Sequence, residues 1–133
     1  MERTEELRNV ESDKLAKEAV KLMLEKKGLD VKMYDVKDYT TVADYYVNVT
    51  GLSGTHVNSL ADEIADNFDL RGQPAYRMEG KKGNSWILVD FGSVIVNVFD
   101  NESRNFYNFD KLLPAECQTD ITELVQEVDK KFR

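Results

Sequence analysis

The chain has 133 residues, of which 41% are hydrophobic and 32% charged, and its net charge is −7. This length suits one domain with a real core, and the balance is that of a globular rather than a disordered protein. The sequence has no apolar run that could span a bilayer and no apolar signal core at its start, so we expect a soluble, cytoplasmic protein without a membrane partner. Acidic character without a basic stripe argues against broad nucleic-acid binding and suits a basic partner protein.

The spacing of apolar residues divides the chain into helices and strands. Apolar residues three and four positions apart indicate helices, and β-branched or alternating runs indicate strands. In chain order these patterns predict a flexible segment 1–10, a helix from Ser12 to Gly28, strands 31–36 and 44–50, a helix 55–70, strands 74–79, 85–90 and 93–99, a short helix 104–109 and a last helix beginning at a Thr119 cap. We expect a single α/β domain with a mixed five-stranded sheet and flanking helices.

Residues 78–99 predict the centre of that sheet. Two apolar strands are joined there by a tight antiparallel turn at Phe91-Gly92. Both faces of the second strand are mostly apolar, which is typical of a strand that is covered on both sides. Asn97 is the polar interruption of this strand.

The residue types give little support to metal or disulfide chemistry. Cys117 is the only cysteine and His56 the only histidine, so neither a disulfide nor an ordinary zinc site can form within the chain. Two carboxylate sets could hold a cation: Asp35, Asp38 and Asp44, and Glu79 with Asp90. Charged residues at strand ends are more often solvated or paired with arginine. We therefore predict no metal, no cofactor and no catalytic residue.

Four short features have both a chemical and a structural interpretation. Residues 51–54, Gly-Leu-Ser-Gly between a strand and a helix, could cradle a phosphate, but a simple strand-to-helix turn is the favoured interpretation. Asp90-Phe91-Gly92 copies the letters of a kinase motif in a chain too short for a kinase, so we expect a hairpin turn. For His56 a surface or capping role is favoured over general base chemistry. Cys117 stands near a helix start, where its pKa could be lowered, yet an inert thiol is the default.

The aromatic residues toward the C-terminus are the remaining candidates for function. Trp86, Phe106, Tyr107 and Phe109 exceed what so small a core needs. Tryptophan and tyrosine are enriched where proteins bind proteins, because they bury a large area and keep a polar tip. From the residues alone, a core role and an interface role are equally supported.

An ordered set of residues resembles the ribosomal silencing factor family, also called the Iojap or YbeB-like family. Its parts are Asp44-Tyr45-Tyr46-Val47, Thr50-Gly51, Ser53, His56-Val57, Ser59-Leu60-Ala61-Asp62, Glu79-Gly80, the runs 86–92 and 94–99, Arg104, Tyr107 and Leu112. The match extends over residues 11–115. It divides the chain into the flexible segment 1–10, a silencing-factor domain 11–115 and a C-terminal helical extension 116–133.

The resemblance implies a nucleotidyltransferase-like fold without catalytic acids. It also implies binding to ribosomal protein L-fourteen on the joining face of the large subunit, where the factor blocks the small subunit and represses translation by steric exclusion. Little direct contact with RNA is implied. Carried over by position, the partner-binding residues are Trp86, Asn97, Arg104, Tyr107, Asn108 and Phe109. Glu79 and Asp90 match the pattern as well, and their role is either binding or architectural.

This sequence departs from the family pattern at three places. Asn97 stands in place of a histidine, Thr55 in place of an arginine, and Leu113-Pro114 in place of Leu-Trp. The last change removes an aromatic residue from the expected contact region. Two other functions stay open: a nucleotidyltransferase-like enzyme that binds a triphosphate at residues 51–54, and an acidic adaptor for another basic partner. An exposed aromatic patch could equally serve a homodimer.

Overall fold

A computed structural model describes residues 3–131 of the chain. Its helices and strands are α1 (Ser12–Glu25), β1 (Leu29–Asp35), β2 (Tyr45–Gly51), α2 (Gly54–Leu70), β3 (Arg77–Glu79), β4 (Trp86–Asp90), β5 (Val94–Asp100), α3 (Asn101–Tyr107), β6 (Gln118–Thr119) and α4 (Thr122–Lys131). Two short 3-10 helices, Phe109–Leu112 and Ala115–Cys117, lie between α3 and β6. Within residues 3–131 none of the helices is both long and apolar enough to cross a membrane.

The strands form one mixed sheet in the order β3-β4-β5-β2-β1-β6. The predicted hairpin is confirmed, because β4 and β5 pair antiparallel from Trp86↔Phe99 to Asp90↔Ile95. The connection through α2 is the predicted parallel crossover, and it brings β2 beside β5. The α/β class is therefore as predicted.

The count of five strands was one too few. The sixth strand, β6, is only two residues long and pairs with the outer edge of β1 through Met33↔Thr119. Two residues are too few to show an alternating pattern, and Thr119 resembled a helix cap for that reason. The following helix begins at Thr122, where the carboxylate of Asp120 accepts a hydrogen bond from the Thr122 backbone N–H at 2.9 Å.

Helices α1 and α2 cover one face of the sheet and form the main core with it. The inward side chains of the three central strands are almost entirely apolar and buried: Val47, Val49, Ile87, Val89, Val94, Val96 and Val98. Helix α2 contributes the predicted stripe from Val57 to Phe68. It is capped by Ser53, whose hydroxyl accepts from the His56 N–H at 3.2 Å. The cap residue of α1 is Glu11, and Ser12 is the first helical residue.

The N-terminal segment packs on the helical layer without forming a regular element. Leu7 is fully buried, and its backbone N–H donates to the Arg71 carbonyl at 2.7 Å. The guanidinium of Arg71, itself 3% exposed, donates to the Glu5 carbonyl and to the Glu18 carboxylate. Burial opposes ionisation of Glu18, but the Arg71 and Lys21 bonds outweigh it and lower its pKa. The division of the chain into a flexible segment, a domain and an extension stays a prediction.

Among the described residues, the chain after β5 covers the other face of the sheet. Helix α3 is capped by Asp100, whose carboxylate accepts from the Ser103 N–H at 2.7 Å. It ends at Asn108, which has a left-handed φ of 55°, and the first 3-10 helix follows. In place of the single helix predicted over 104–109, the structure has the seven-residue α3 and the four-residue 3-10 helix, with a bend between them. This bend lays aromatic side chains across the second face of the sheet.

Candidate partner-binding surface

Five aromatic rings meet on the second face of the sheet. Trp86 lies at their centre, with ring centroids 5.0 Å from Phe99, 5.1 Å from Tyr107 and 5.7 Å from Phe109. Tyr46 of β2 approaches Phe109 at 5.7 Å. These spacings and tilted planes are those of favourable aromatic pairs. The cluster joins strands β2, β4 and β5 to α3 and the first 3-10 helix.

The cluster continues into apolar side chains that face solvent. Phe106 is 80% exposed, Leu112 76% and Tyr107 51%. Phe99 is buried and Trp86 is half-buried, so both lie deeper than Phe106 and Tyr107. The five clustered rings together with Phe106 and Leu112 are called the aromatic surface below. A rigid, exposed patch of this kind is a feature of protein-binding sites.

A chain of buried hydrogen bonds lies beneath the aromatic surface. The Trp86 indole Nε1–H donates to Asn97 Oδ1 at 3.0 Å. The Asn97 amide donates to Asn48 Oδ1 at 3.1 Å, and the Asn48 amide donates to Asp110 Oδ1 at 2.7 Å. Asn48 and Asn97 stand directly opposite each other in the parallel pair β2–β5. This polar chain therefore connects strand β4 with the first 3-10 helix.

Arg104 and Asp110 form the end of the polar chain that lies nearest to α3. Arg104 Nε donates to Asp110 Oδ2 at 2.7 Å, and its Nη1 donates to the Asp30 carbonyl and the Thr50 hydroxyl. The Tyr34 hydroxyl also donates to Asp110, at 2.9 Å. Burial alone would raise the pKa of Asp110, but the bonds from Arg104 and Asn48 outweigh it and hold that pKa below its usual value. Burial and this same carboxylate raise the pKa of Tyr34.

The predicted partner-binding residues are brought together, but at different depths. Tyr107 and Asn108 are exposed, and Trp86 and Phe109 are half-buried. Asn97 is 1% exposed and Arg104 is 5% exposed, so both lie under the surface rather than on it. The sequence prediction omitted Asn48, Asp110 and Tyr34 of the polar chain, and Tyr46 and Leu112 of the aromatic surface. Asn48 did carry a signal, since it interrupts an apolar strand as Asn97 does.

The other candidate residues have structural partners. His56 Nδ1 accepts from the Leu52 N–H at 2.9 Å, so Nε2 carries the proton and faces the Lys26 carbonyl at 3.2 Å. This ties residues 51–54 to the end of α1. Burial raises the pKa of the Cys117 thiol, which donates to the Pro114 carbonyl.

The candidate carboxylates are mostly paired with nearby cations. Asp90 and Glu79 both contact Arg77, and Asp35 pairs with Lys37. In the part of the chain that the structure describes, no three histidine, cysteine or acidic side chains gather as metal ligands. These contacts match the structural interpretation of Asp35, Glu79 and Asp90.

Comparison with known proteins identifies the family. The sequence profile of the family described as "Ribosomal silencing factor during starvation" matches residues 9–133. The chain belongs to the ribosomal silencing factor family. It is 38% identical over 88 residues to ribosomal silencing factor RsfS of Bacillus subtilis, which covers 66% of this chain and 75% of that protein. The resemblance seen in the sequence is thereby confirmed.

Two further relatives extend the comparison of this silencing-factor chain. It is 27% identical over 96 residues to the mouse protein named mitochondrial assembly of ribosomal large subunit protein 1, covering 70% of this chain and 42% of that one. A crystal structure of a Chromobacterium violaceum protein superposes with a TM-score of 0.75 at 27% identity, covering 77% of this chain and 86% of that chain. The fold of the silencing-factor chain is therefore shared with a solved structure.

Proposed function

We propose that this silencing factor binds the large ribosomal subunit through ribosomal protein L-fourteen and thereby blocks the small subunit from joining. Translation is repressed by steric exclusion, without a cofactor and without catalysis. The factor acts in the cytoplasm, and its contact is with protein more than with RNA. The residues proposed for the contact are Trp86, Tyr107, Asn108 and Phe109 together with the exposed Phe106 and Leu112. Asn97 and Arg104 support them from below.

The single observation that carries the proposal is the aromatic surface. It lies on the face of the sheet opposite α1 and α2 and exposes apolar side chains to solvent. Phe106 and Leu112 leave most of their apolar area in water. The rings beneath them are fixed by mutual contacts and by the polar chain, so little order has to be gained on binding. Family membership supports a ribosomal partner, and the printed name of the mouse relative refers to the large subunit.

The charge of the chain supports a basic partner. The net charge is −7, and α3 itself carries one exposed acidic residue, Glu102. Opposite charges steer two proteins together and suppress encounters with acidic surfaces. The same net charge disfavours wide contact with ribosomal RNA, whose phosphates require cations.

The enzymatic alternative has no comparable support. A nucleotidyltransferase site would need a free loop at residues 51–54 and carboxylates that converge on it. That loop is tied to α1 through His56, and its residue Ser53 caps helix α2. The candidate carboxylates Asp35, Glu79 and Asp90 pair with cations elsewhere.

The proposal is tested by subunit joining in sucrose gradients with purified subunits and saturating factor. We expect free subunits to accumulate in place of joined ribosomes. Two matched variants locate the contact: Phe106→Glu on the aromatic surface and Leu70→Glu on α2, both at apolar side chains that are at least 80% exposed. A central aromatic contact contributes about 2 kcal/mol or more, so Phe106→Glu should bind roughly thirtyfold more weakly while Leu70→Glu binds normally.

Three results would contradict the proposal. Subunits that join normally at saturating factor rule out the steric mechanism. Equal binding of the two variants to large subunits would mean that the contact lies outside the aromatic surface. A stable dimer in light scattering that Phe106→Glu converts to a monomer, with no effect on subunit joining, assigns the surface to self-association instead.

A further inference from the structure

The polar chain beneath the aromatic surface has a fixed direction. At one end the Trp86 indole can only donate a hydrogen bond, and at the other the Asp110 carboxylate can only accept one. Asn97 must therefore turn its oxygen to Trp86 and its NH2 to Asn48. Asn48 must in turn direct its own NH2 at Asp110. Each amide has one orientation that satisfies both neighbours.

The two asparagines have no other source of hydrogen bonds. Asn48 is fully buried and Asn97 is 1% exposed, so water cannot replace a lost partner. Within the described residues every buried side-chain nitrogen and oxygen has a partner. Two apolar side chains would fill the same space without needing hydrogen-bond partners. The two amides therefore differ from an apolar pair in one respect: they orient the groups at the two ends of the polar chain.

The group at one end is the centre of the aromatic surface. The Trp86 ring contacts Phe99 on its own sheet and both Tyr107 and Phe109 on the covering segment. The bond from Nε1 to Asn97 selects one rotation of the indole about its Cβ–Cγ bond, because turning the ring over would carry the N–H away from Asn97. The rotation of the indole determines the surface against which Tyr107 rests.

The groups at the other end belong to the covering segment. Asp110 follows Phe109 directly, and Arg104 joins Asp110 to α3. The polar chain therefore fixes the position of Trp86, on strand β4, relative to the rings of Tyr107 and Phe109 on the covering segment. Residues 86 and 110 lie far apart in sequence, and the two asparagines supply a polar connection between them across the sheet.

We propose that Asn97 and Asn48 are positioning residues for partner binding. Neither touches the partner; they hold the Trp86 indole and, through Asp110, the segment that carries Tyr107 and Phe109. The aromatic surface is thereby shaped before the partner arrives. This inference rests on the proposed function, because it assigns the binding role to the aromatic surface.

The test uses Asn97→Leu, a change of similar size that removes both hydrogen bonds. Trp86 is the only tryptophan of the chain, so its fluorescence emission and near-ultraviolet circular dichroism report on this ring alone. We expect the folded variant to show changed tryptophan spectra and at least tenfold weaker binding to large subunits, equal to about 1.4 kcal/mol. In a Trp86→Phe background, which lacks the indole N–H, Asn97→Leu should weaken binding by much less than tenfold.

Val96→Ala is the matched control. Val96 is the neighbour of Asn97 on β5, is equally buried, and points to the helical face of the sheet. Its truncation lowers stability without reaching Trp86, so the tryptophan spectra and the affinity should stay those of the parent protein. If Asn97→Leu fails to fold, Asn97→Thr takes its place, because a β-branched residue suits a strand and its short side chain cannot join both neighbours.

The outcomes separate this inference from the proposed function. Parent-like spectra or parent-like affinity in the folded Asn97 variant overturns the positioning role. An equal loss of affinity in Val96→Ala does the same, since stability alone would then explain the effect. If the parent protein does not bind large subunits, the proposed function fails, and the spectra alone decide whether Asn97 orients Trp86.

Discussion

Replacing Asp110 with asparagine should destabilise the protein by removing one charge from the polar chain. The carboxylate accepts bonds from Tyr34, Asn48 and Arg104. An asparagine of the same shape keeps an oxygen for Tyr34 and Asn48 but turns an N–H toward Arg104 Nε. Two donors then face each other where a 2.7 Å charge-assisted bond stood. The Arg104 guanidinium keeps its bonds to the Asp30 carbonyl and the Thr50 hydroxyl and its longer bond of 3.3 Å to the oxygen retained at position 110.

The expected loss follows from the burial of the two partners. A hydrogen bond to a charged group contributes about 1.5–3 kcal/mol. Removing one member of a fully buried ion pair costs about 3–5 kcal/mol. The Arg104 side chain is 5% exposed and that of Asp110 is 21% exposed, so water partly reaches the carboxylate. We therefore expect Asp110→Asn to lower the free energy of unfolding by about 2–3 kcal/mol.

Urea unfolding at neutral pH measures this loss, with Asp62→Asn as the control. Asp62 pairs with Lys81, and both side chains of that pair are more than two-fifths exposed. An exposed pair contributes about 1 kcal/mol at most, so the control should unfold close to the parent midpoint. The reasoning is refuted if Asp110→Asn unfolds at the parent midpoint with an unchanged slope. It is refuted equally if Asp62→Asn loses as much stability as Asp110→Asn.

Four further predictions concern pH, a second buried charge, a turn and ligands. The pKa of Asp110 is lowered in the folded state, so the ionised carboxylate stabilises the protein above the usual aspartate pKa of about 3.9. This stabilisation is lost as the pH falls through the lower pKa of the folded state. In urea titrations the stability difference between the parent and Asp110→Asn should therefore disappear over that acid range and persist at pH 7. Glu18→Gln, which removes the charge facing a buried guanidinium, should cost about 3 kcal/mol in the same assay, and a loss below about 1 kcal/mol would contradict the ion-pair argument. Gly80→Ala should lower the free energy of unfolding by more than about 1–2 kcal/mol, because Gly80 has φ +93° and an added Cβ would clash with the Trp86 carbonyl oxygen. Gly83→Ala is the control: its added Cβ meets nothing closer than 3.8 Å, so this variant should be tolerated. Magnesium with nucleoside triphosphates should leave the melting temperature unchanged, and an upward shift of several degrees would support the enzymatic alternative.

The fold could be predicted from the sequence where elements are long and their patterns strong. The stripe from Val57 to Phe68 and the hairpin around Phe91-Gly92 follow from local periodicity and turn chemistry, and both are confirmed. Strand β6 could not be predicted, because it owes its conformation to pairing with β1 rather than to its own two residues. The break at Asn108 depends on a left-handed backbone conformation that a helical pattern does not reveal.

The aromatic surface could be predicted in part. Trp86, Tyr107 and Phe109 stood out by residue type, and the structure brings their rings together. The polar chain was beyond sequence reasoning, because it depends on the register that sets Asn48 opposite Asn97 in a parallel pair. The two residues are separated by a full crossover connection, so no local pattern relates them.

The parallel pairing of β2 with β5 has a consequence for how the molecule folds. In the described chain this central pair is the one parallel pair, and it joins residues such as Tyr45 and Val94 that are remote in sequence. The β4–β5 hairpin closes a short loop, whereas β2 can join β5 only after the intervening chain has been ordered at an entropic cost. We therefore expect the amides of Asn48 and Asn97 to meet late in folding. The aromatic surface that depends on them would then form only after β2 has paired with β5.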